Sequence, residues 1–414
     1  MKLNVLLVSI SCPPKKDSES LQVAKYLKYL GRDAGLHIDI VTSKNPTLYM
    51  PYDSSLEVFL RDVRQIINLP LLESRYTNVI LRKIFPSIMS MPDSKKSFSF
   101  WAYLVCRNLK ESPDIIYSRS YPLSSTMMAY RLQQHYRCPW VLHLSDPWTI
   151  NPLRPSEPAK DWNATMESRC FSAATILSFT SDKTLLRYAE LYPNFAHKMV
   201  VFPNVFDPDD LKDKRWKKKK KMKLVYTGGL VGTRTPKIIV DAFNLIRAYN
   251  KDVLSKIEVV LAGEVDRGVK KILEDQNLGI KHVGLLAFDQ AIELQSDADI
   301  LLLIDTPTKN SDDAMFFPSK LLDYMLAGRR VIAVTDRGSC TADVVRNSGL
   351  GDVVDHNDAE GLMNIIIKSF KSWELSEEDH FSRGSADEFY SAKNQASRLI
   401  DLFHEKKQRH DRVK

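Results

Sequence analysis

The 414-residue sequence predicts an α/β protein made of two domains, each a parallel sheet with helices on both faces. Three observations point there. Short, wholly apolar runs recur through the first half, spaced by helical stretches, as buried parallel strands do. The same rhythm restarts after Met222. Between the halves lies a polar, strongly basic tract, Lys212–Lys223, where a linker is expected. The length agrees, because one core seldom supports so long a chain.

The elements follow in order. Val5–Ile10 is a strand, and Glu19–Leu30 a helix with Leu21, Ala24, Leu27 and Leu30 at helical spacing. Ile38–Thr42, Ile115–Ser118, Trp140–Leu144, Ile176–Phe179 and Lys198–Phe202 continue the strand series. Leu56, Phe59, Leu60, Val63, Ile66 and Ile67 keep helical spacing, and Val79–Met91 mixes apolar residues with Arg82 and Lys83. In the second half, Leu224–Thr227, Glu258–Ala262, Ile300–Ile304 and Val331–Val334 read as strands. Helices are expected at Pro236–Tyr249, Val269–Gln276, Ser319–Ala327, Thr341–Asn347 and Glu360–Phe370. The domains are therefore expected at 1–205 and 224–380, with a linker at 206–223. A charged helix within 381–414 is expected to pack back on the first domain.

Composition narrows the function. A content of 44% hydrophobic and 27% charged residues suits a globular protein. The formal charge of +8 is carried entirely by Lys212–Lys223, which holds nine Lys or Arg against one Asp. A nucleic-acid-binding domain spreads its basic residues over a face with stacking aromatics, so nucleic acid is set aside. Five scattered cysteines without a CxxC spacing argue for a reducing compartment and against structural zinc. The opening Met1–Ile10 has one lysine and an apolar run ending in Ser-Cys-Pro-Pro, which reads as a strand rather than a signal peptide. No apolar run approaches the roughly twenty residues that span a bilayer.

Chemistry concentrates in the second half, which holds thirteen of the fifteen glycines and with them the capacity for close backbone approach to a ligand. After the Leu224–Thr227 strand comes Gly228-Gly229-Leu-Val-Gly232-Thr-Arg234-Thr-Pro236, with Thr235 as cap and Pro236 opening a helix. Three glycines and a guanidinium at a helix start suit a diphosphate, although a tight turn with a solvated arginine has the same pattern. Farther on, Phe317–Val334 reads as a helix capped by Ser319, closed by Gly328 and followed by a buried strand. Lys320 and Asp323 share a face of that helix, a place to hold a phosphate and a sugar hydroxyl. Asp297-Ala-Asp299 has the spacing of a metal-binding DxD but sits just before a strand, where a cap and turn is the expected role.

In the first half, Ser145-Asp146-Pro147-Trp148 follows a strand. Asp146 either takes part in a site at the strand's carboxyl end or caps a turn fixed by Pro147. His143 lies within the strand and reads as a core histidine. The 56–91 region is either a set of capping helices or an apolar lip whose Arg61, Arg64, Arg82 and Lys83 meet anionic headgroups. The 212–223 tract is either a second such contact or a solvated linker.

Taken together, Pro13-Pro14, His143-Leu-Ser-Asp-Pro-Trp148, Tyr226-Thr-Gly-Gly and the Pro318–Gly328 run resemble family-4 glycosyltransferases of the GT-B fold. The resemblance spans most of the chain and is weakest between Asn45 and Glu111. It implies two Rossmann-like domains facing across a cleft, with the sugar nucleotide held by the C-terminal one. It further implies that Arg234 and Lys320 neutralise the donor diphosphate, and that Asp323 accepts from the ribose. Gly228, Gly229 and Ser319 would line the donor, and His282 and Val283 would hold the base. Pro14 and Asp146 would face the acceptor, giving Asp146, Arg234 and Lys320 as the catalytic set. Most members carry two glutamates separated by seven residues; here Met315 stands at the first position and Asp323 at the second. Asp312 and Asp313 lie nearby but out of register.

The expected activity is transfer of a hexosyl group from a UDP- or GDP-sugar to a glycan or lipid-linked acceptor, with retention, in surface polysaccharide or glycolipid assembly. No metal and no other cofactor is expected, since fixed cations take the place of Mg²⁺. The expected location is cytoplasmic, peripheral at the inner face of the membrane. Two alternatives stand beside this: a catalytically silent nucleotide-binding scaffold, which Met315 favours, and a sugar-nucleotide epimerase, which would need clustered acid/base carboxylates and histidines.

Overall fold

The first apolar run forms the middle of a seven-stranded parallel sheet. Its strands are β1 (Leu3–Val8), β2 (Leu36–Ser43), β3 (Gln65–Leu69), β4 (Ile115–Ser120), β5 (Trp140–Leu144), β6 (Ile176–Phe179) and β7 (Met199–Val201). Their spatial order is β3-β2-β1-β4-β5-β6-β7. The structure is a computed structural model that describes residues 2–44, 51–152, 158–210, 218–274, 278–308, 314–315, 318–375 and 388–413. It divides into one unit of Met1–Asp207 with Tyr390–Lys414, and a second of Pro208–Phe389.

Because successive side chains on a strand point to opposite faces, each strand of the first sheet feeds two cores. Leu6, Val8, Ile116, Trp140 and Leu142 pack on one face, with Met128, Leu132 and Phe171 from the helices Ser124–Tyr136 and Lys160–Ala173. Val5, Leu7, Tyr117 and Val141 pack on the other, against the helix Ser18–Leu30. The terminal helix, Ala392–Val413, joins that second core through Ala392, Ala396, Leu399 and Phe403. The Phe403 ring meets Tyr117 edge-on at 5.7 Å. Burying Leu399 and Phe403 contributes roughly 1.5–3 kcal/mol each.

One expectation fails here. The residues 56–67 do not form a helix: Ser54–Leu60 is a 3-10 segment, and Gln65–Leu69 is the edge strand β3, paired with β2 from Asp39↔Gln65 onward. Adjacent β-branched Ile66 and Ile67 favour the pleated edge over a helical stripe. Arg64, a headgroup contact in one of the two readings of this region, instead pairs with Asp39 at 2.5 Å and with Glu111 at 2.6 Å. Val79–Met91 is likewise split, into the helices Arg75–Ile84 and Pro86–Met89.

The second unit holds six parallel strands. They are β8 (Met222–Thr227), β9 (Ile257–Ala262), β10 (Ile280–His282), β11 (Ile300–Ile304), β12 (Arg330–Val334) and β13 (Gly351–Val354), ordered β10-β9-β8-β11-β12-β13. In sequence terms this is 3-2-1-4-5-6, the doubly wound dinucleotide-binding order. The edge strands β10 and β13 lack an apolar run, which is why the sequence pattern passed over them.

Candidate functional site

In the order 3-2-1-4-5-6 the winding reverses between the first and fourth strands. The loops leaving β8 and β11 therefore part in opposite directions and leave a crevice at the carboxyl edge. The sequence puts its glycines and arginine in the first of these loops. Arg234 reaches across to the second, where Nη2 donates to Thr306 Oγ1 at 3.2 Å. Its Nε is buried and, among the described residues, has no hydrogen-bond acceptor. The N-cap of the helix Lys237–Tyr249 is Pro236 and not Thr235 as expected, although Thr235 Oγ1 accepts from the Lys237 N–H at 3.0 Å.

Lys320 enters the same place from the helix Lys320–Ala327. Its Nζ donates to Tyr226 Oη at 3.1 Å and lies 4.7 Å from the centre of that ring. The Arg234 charge acts on the same hydroxyl. Gly228, at φ +139°, makes the approach possible, since a Cβ there would sit 2.5 Å from Lys320 Nζ. Burial, and next the neighbouring Arg234 charge, lower the ammonium from 10.5 to about 8, with Asp305 and Asp323 opposing. Two cations are thus held close together in a poorly solvated crevice, an arrangement that favours an anion. Asp323 is half-buried and its charge reaches Lys320.

The helix is pinned one turn farther on. Buried Tyr324 accepts from the Thr227 N–H at 3.1 Å and donates to Leu302 O at 3.0 Å, tying Lys320 to both strands of the switch point. Gly328 ends the helix in the left-handed conformation at φ 62°. Ser319 does not cap it. The residue has helical backbone angles, its side chain makes no cap hydrogen bond, and it is exposed. A capping serine needs extended backbone angles to turn its hydroxyl onto the following N–H groups.

The other residues expected beside the donor join through backbone. Gly263, at φ +140°, lies so close to Gly228 that a Cβ would fall on the Gly228 carbonyl. His282 Nε2 donates to Gly263 O at 2.9 Å, so its ring braces that loop. The Val283 N–H is already taken by Leu261 O at 3.0 Å, although its side chain is exposed. Gly229 O accepts from Tyr226 Oη at 3.0 Å. Met315 is buried at 3% exposure. Asp312 and Asp313 lie outside the described residues.

The DxD-like pair is elsewhere. Asp297 pairs with Lys223 at 2.8 Å and with Lys219, and Asp299 accepts from the Lys223 N–H at 2.7 Å. These three contacts sit at the amino end of β8, a full strand away from the crevice. Lys218 bonds Glu374 O at 2.6 Å, so Lys218, Lys219 and Lys223 of the basic tract are engaged within their own unit, while Lys220 and Lys221 are exposed; residues 211–217 lie outside the described residues. Among the described residues no group of three or more His, Cys, Asp or Glu could hold a metal ion.

The N-terminal sheet reverses between β1 and β4. Pro14 follows β1, in a cis Pro13-Pro14 pair, and Asp146 follows β5, half-buried. One carboxylate ties these loops together: Glu19 accepts from buried Arg119 at 2.7 Å and from Ser145 Oγ at 2.6 Å. Lys15 is buried and donates to Ile10 O at 2.5 Å and Thr42 Oγ1 at 2.9 Å, with burial lowering it to about 8. His143 is a core residue, its Nδ1 2.9 Å from Ser178 Oγ. Sequence reading passed over Glu19, Arg119, Tyr226, Tyr324 and Asp305. Tyr226 and Asp305 had one signal, a polar group within a residue or two of a strand's carboxyl end.

Residues 24–205 match the family model of the glycosyl transferase 4-like domain. Those residues are a glycosyl transferase 4-like domain. Solved structures align over nearly the whole chain. HepE of Anabaena in complex with UDP and glucose is 14% identical, with 97% of this chain and 100% of that one covered at a TM-score of 0.61. Sucrose-phosphate synthase from Thermosynechococcus elongatus is 15% identical, with 98% and 99% covered at 0.64. WaaG, a glycosyltransferase involved in lipopolysaccharide biosynthesis, is 13% identical, with 96% and 99% covered at 0.60. No curated protein matches the sequence. At these identities the structures establish the fold, which is GT-B. With the glycosyl transferase 4-like domain, that makes the chain a glycosyltransferase.

Proposed function

We propose that this glycosyltransferase moves a hexosyl group from a UDP- or GDP-sugar to an acceptor hydroxyl, with retention of configuration. In this reading the bond from the sugar's anomeric carbon to the β-phosphate oxygen breaks as the bond to the acceptor oxygen forms, and the acceptor's hydroxyl proton passes to the departing phosphate oxygen. Arg234 and Lys320 stabilise the charge that grows on the departing diphosphate, and no metal is required. Asp323 accepts from the ribose, Gly228 and Gly229 let the phosphates approach, and Ser319, His282 and Val283 complete the donor side. Asp146 orients the acceptor hydroxyl beside Pro14.

The observation that carries this reading is the meeting of Arg234 and Lys320 at the Tyr226 hydroxyl, at the switch point, with a buried Nε on Arg234 awaiting an acceptor. HepE, with the same fold, binds UDP and glucose. The buried Met315 supports a second reading, a nucleotide-binding scaffold without turnover.

A lipid-linked acceptor, met at the inner face of a membrane, is part of the proposal. Its support is the stretch 79–88, in which all ten residues are exposed. Six are apolar, among them Ile80 and Ile84 at 59% and Ile88 at 52% exposure, and Arg82 and Lys83 are its only charges. An apolar surface with a basic rim suits an anionic bilayer interface. No helix among the described residues is long and apolar enough to cross a membrane.

Thermal-shift screening of UDP, GDP, ADP and their sugars, followed by mass spectrometry of products with lipid extracts, tests the reading. Binding together with transfer supports it. Binding without hydrolysis or transfer favours the scaffold, and no binding at all refutes both.

A further inference from the structure

We infer that Asp305 takes a hydroxyl of the transferred sugar and so helps to set donor choice; the assignment rests on the nucleotide-sugar reading of the site. Asp305 is the first residue after β11, at the switch point, and is half-buried. Its neighbour Thr306 is the residue that Arg234 grips. Its charge reaches both Lys320 and Tyr226.

A carboxylate is a poor component of a plain phosphate cradle. Placed several ångströms from a diphosphate it weakens binding by on the order of tenfold through like-charge repulsion. Its part in the fold explains one oxygen only. Oδ2 accepts from Thr335 Oγ1 at 2.9 Å, and Thr335 shares a second hydrogen bond with Ser339 Oγ at 2.8 Å. Ser339 in turn caps the helix Cys340–Asn347 by accepting from the Ala342 N–H at 3.0 Å. An asparagine would hold Thr335 equally well without bringing charge into the crevice. Oδ1, by contrast, accepts no hydrogen bond among the described residues.

A nucleotide sugar has two kinds of group near its β-phosphate: phosphate oxygens, which Asp305 repels, and sugar hydroxyls, which are donors. An ionised acceptor with free lone pairs selects the second kind, and a hydrogen bond to a charged group discriminates strongly between sugars that offer the donor and those that do not. Met315 is buried and brings no carboxylate.

The test is calorimetric titration of wild type and Asp305→Asn with three pairs: UDP and UDP-glucose, UDP and UDP-N-acetylglucosamine, GDP and GDP-mannose. For the pair that wild type binds best, the variant is expected to bind the bare diphosphate about three- to tenfold more tightly. It is expected to bind the sugar diphosphate about tenfold less tightly relative to the diphosphate. A gain of equal size for both members overturns the sugar contact. Thr335→Val, which removes the structural bond and keeps the charge, is expected to lower Tm while leaving the ratio of the two Kd values unchanged; a changed ratio also overturns the assignment. If wild type binds none of the pairs, the nucleotide-sugar reading falls and takes this assignment with it.

Discussion

Replacing Lys320 by methionine separates the stability of the empty site from its affinity, because the two are expected to move in opposite directions. In the ligand-free protein the ammonium is held at about 8 instead of 10.5, mainly by burial and then by Arg234. Carrying that charge at neutral pH costs roughly 3 kcal/mol. Against this stand one hydrogen bond to Tyr226 at 3.1 Å and the ring contact at 4.7 Å, which together return about 1–2 kcal/mol. Methionine fills a similar volume without the charge. Lys320→Met is therefore expected to be about 1–2 kcal/mol more stable, a rise in Tm of about 2–8 °C for a unit of this size. Affinity for UDP or GDP should fall about 10- to 150-fold, since a charge-assisted bond to phosphate contributes about 1.5–3 kcal/mol.

The pH dependence has a definite sign. The folded protein binds the Lys320 proton more weakly than the unfolded chain, so the penalty is fully present below about pH 8. It fades between about pH 8 and 10.5, and the stability gap between variant and wild type closes over that window. Wild-type diphosphate affinity should fall as pH rises through about 8, with proton uptake on binding that the variant lacks. Scanning fluorimetry from pH 6.5 to 10 and calorimetry in two buffers of different ionisation enthalpy measure both effects. A variant that is less stable at pH 7 yet binds UDP and GDP as wild type does would refute the reasoning.

Three further outcomes are expected. Arg234→Ala should weaken a nucleoside diphosphate by about 10- to 100-fold and the matching nucleoside hardly at all, because the guanidinium is read as a phosphate ligand; equal losses would count against it. Gly263→Ala combines a positive φ with a Cβ on the Gly228 carbonyl, so it should cost at least about 2 kcal/mol in denaturant melts and disrupt diphosphate binding; wild-type behaviour in both would contradict the packing described. Phe85→Asp should lower co-sedimentation with phosphatidylglycerol vesicles about tenfold while leaving Tm and UDP binding unchanged, since Phe85 is 50% exposed; undiminished sedimentation would remove the membrane contact.

The sequence by itself determined the two parallel sheets, because strands buried on both faces must be written as continuous apolar runs. It also marked the loop with Arg234 and the helix with Lys320, since glycines, a Pro at a helix start and a Gly at a helix end are local necessities. What it mis-stated were places where a neighbour overrode local spacing. Ile66 and Ile67 fit a helical stripe, yet β2 offers unpaired backbone groups that only a strand can satisfy. Ser319 stands where a cap belongs, yet the chain enters that helix with helical angles. Tertiary structure alone brought Arg234, Tyr226, Asp305 and Lys320 together, because β8 with its following loop, the end of β11 and the helix Lys320–Ala327 meet only where the winding of the sheet reverses. It also alone lowered Lys320 toward neutrality, since desolvation belongs to the folded surroundings and not to the residue.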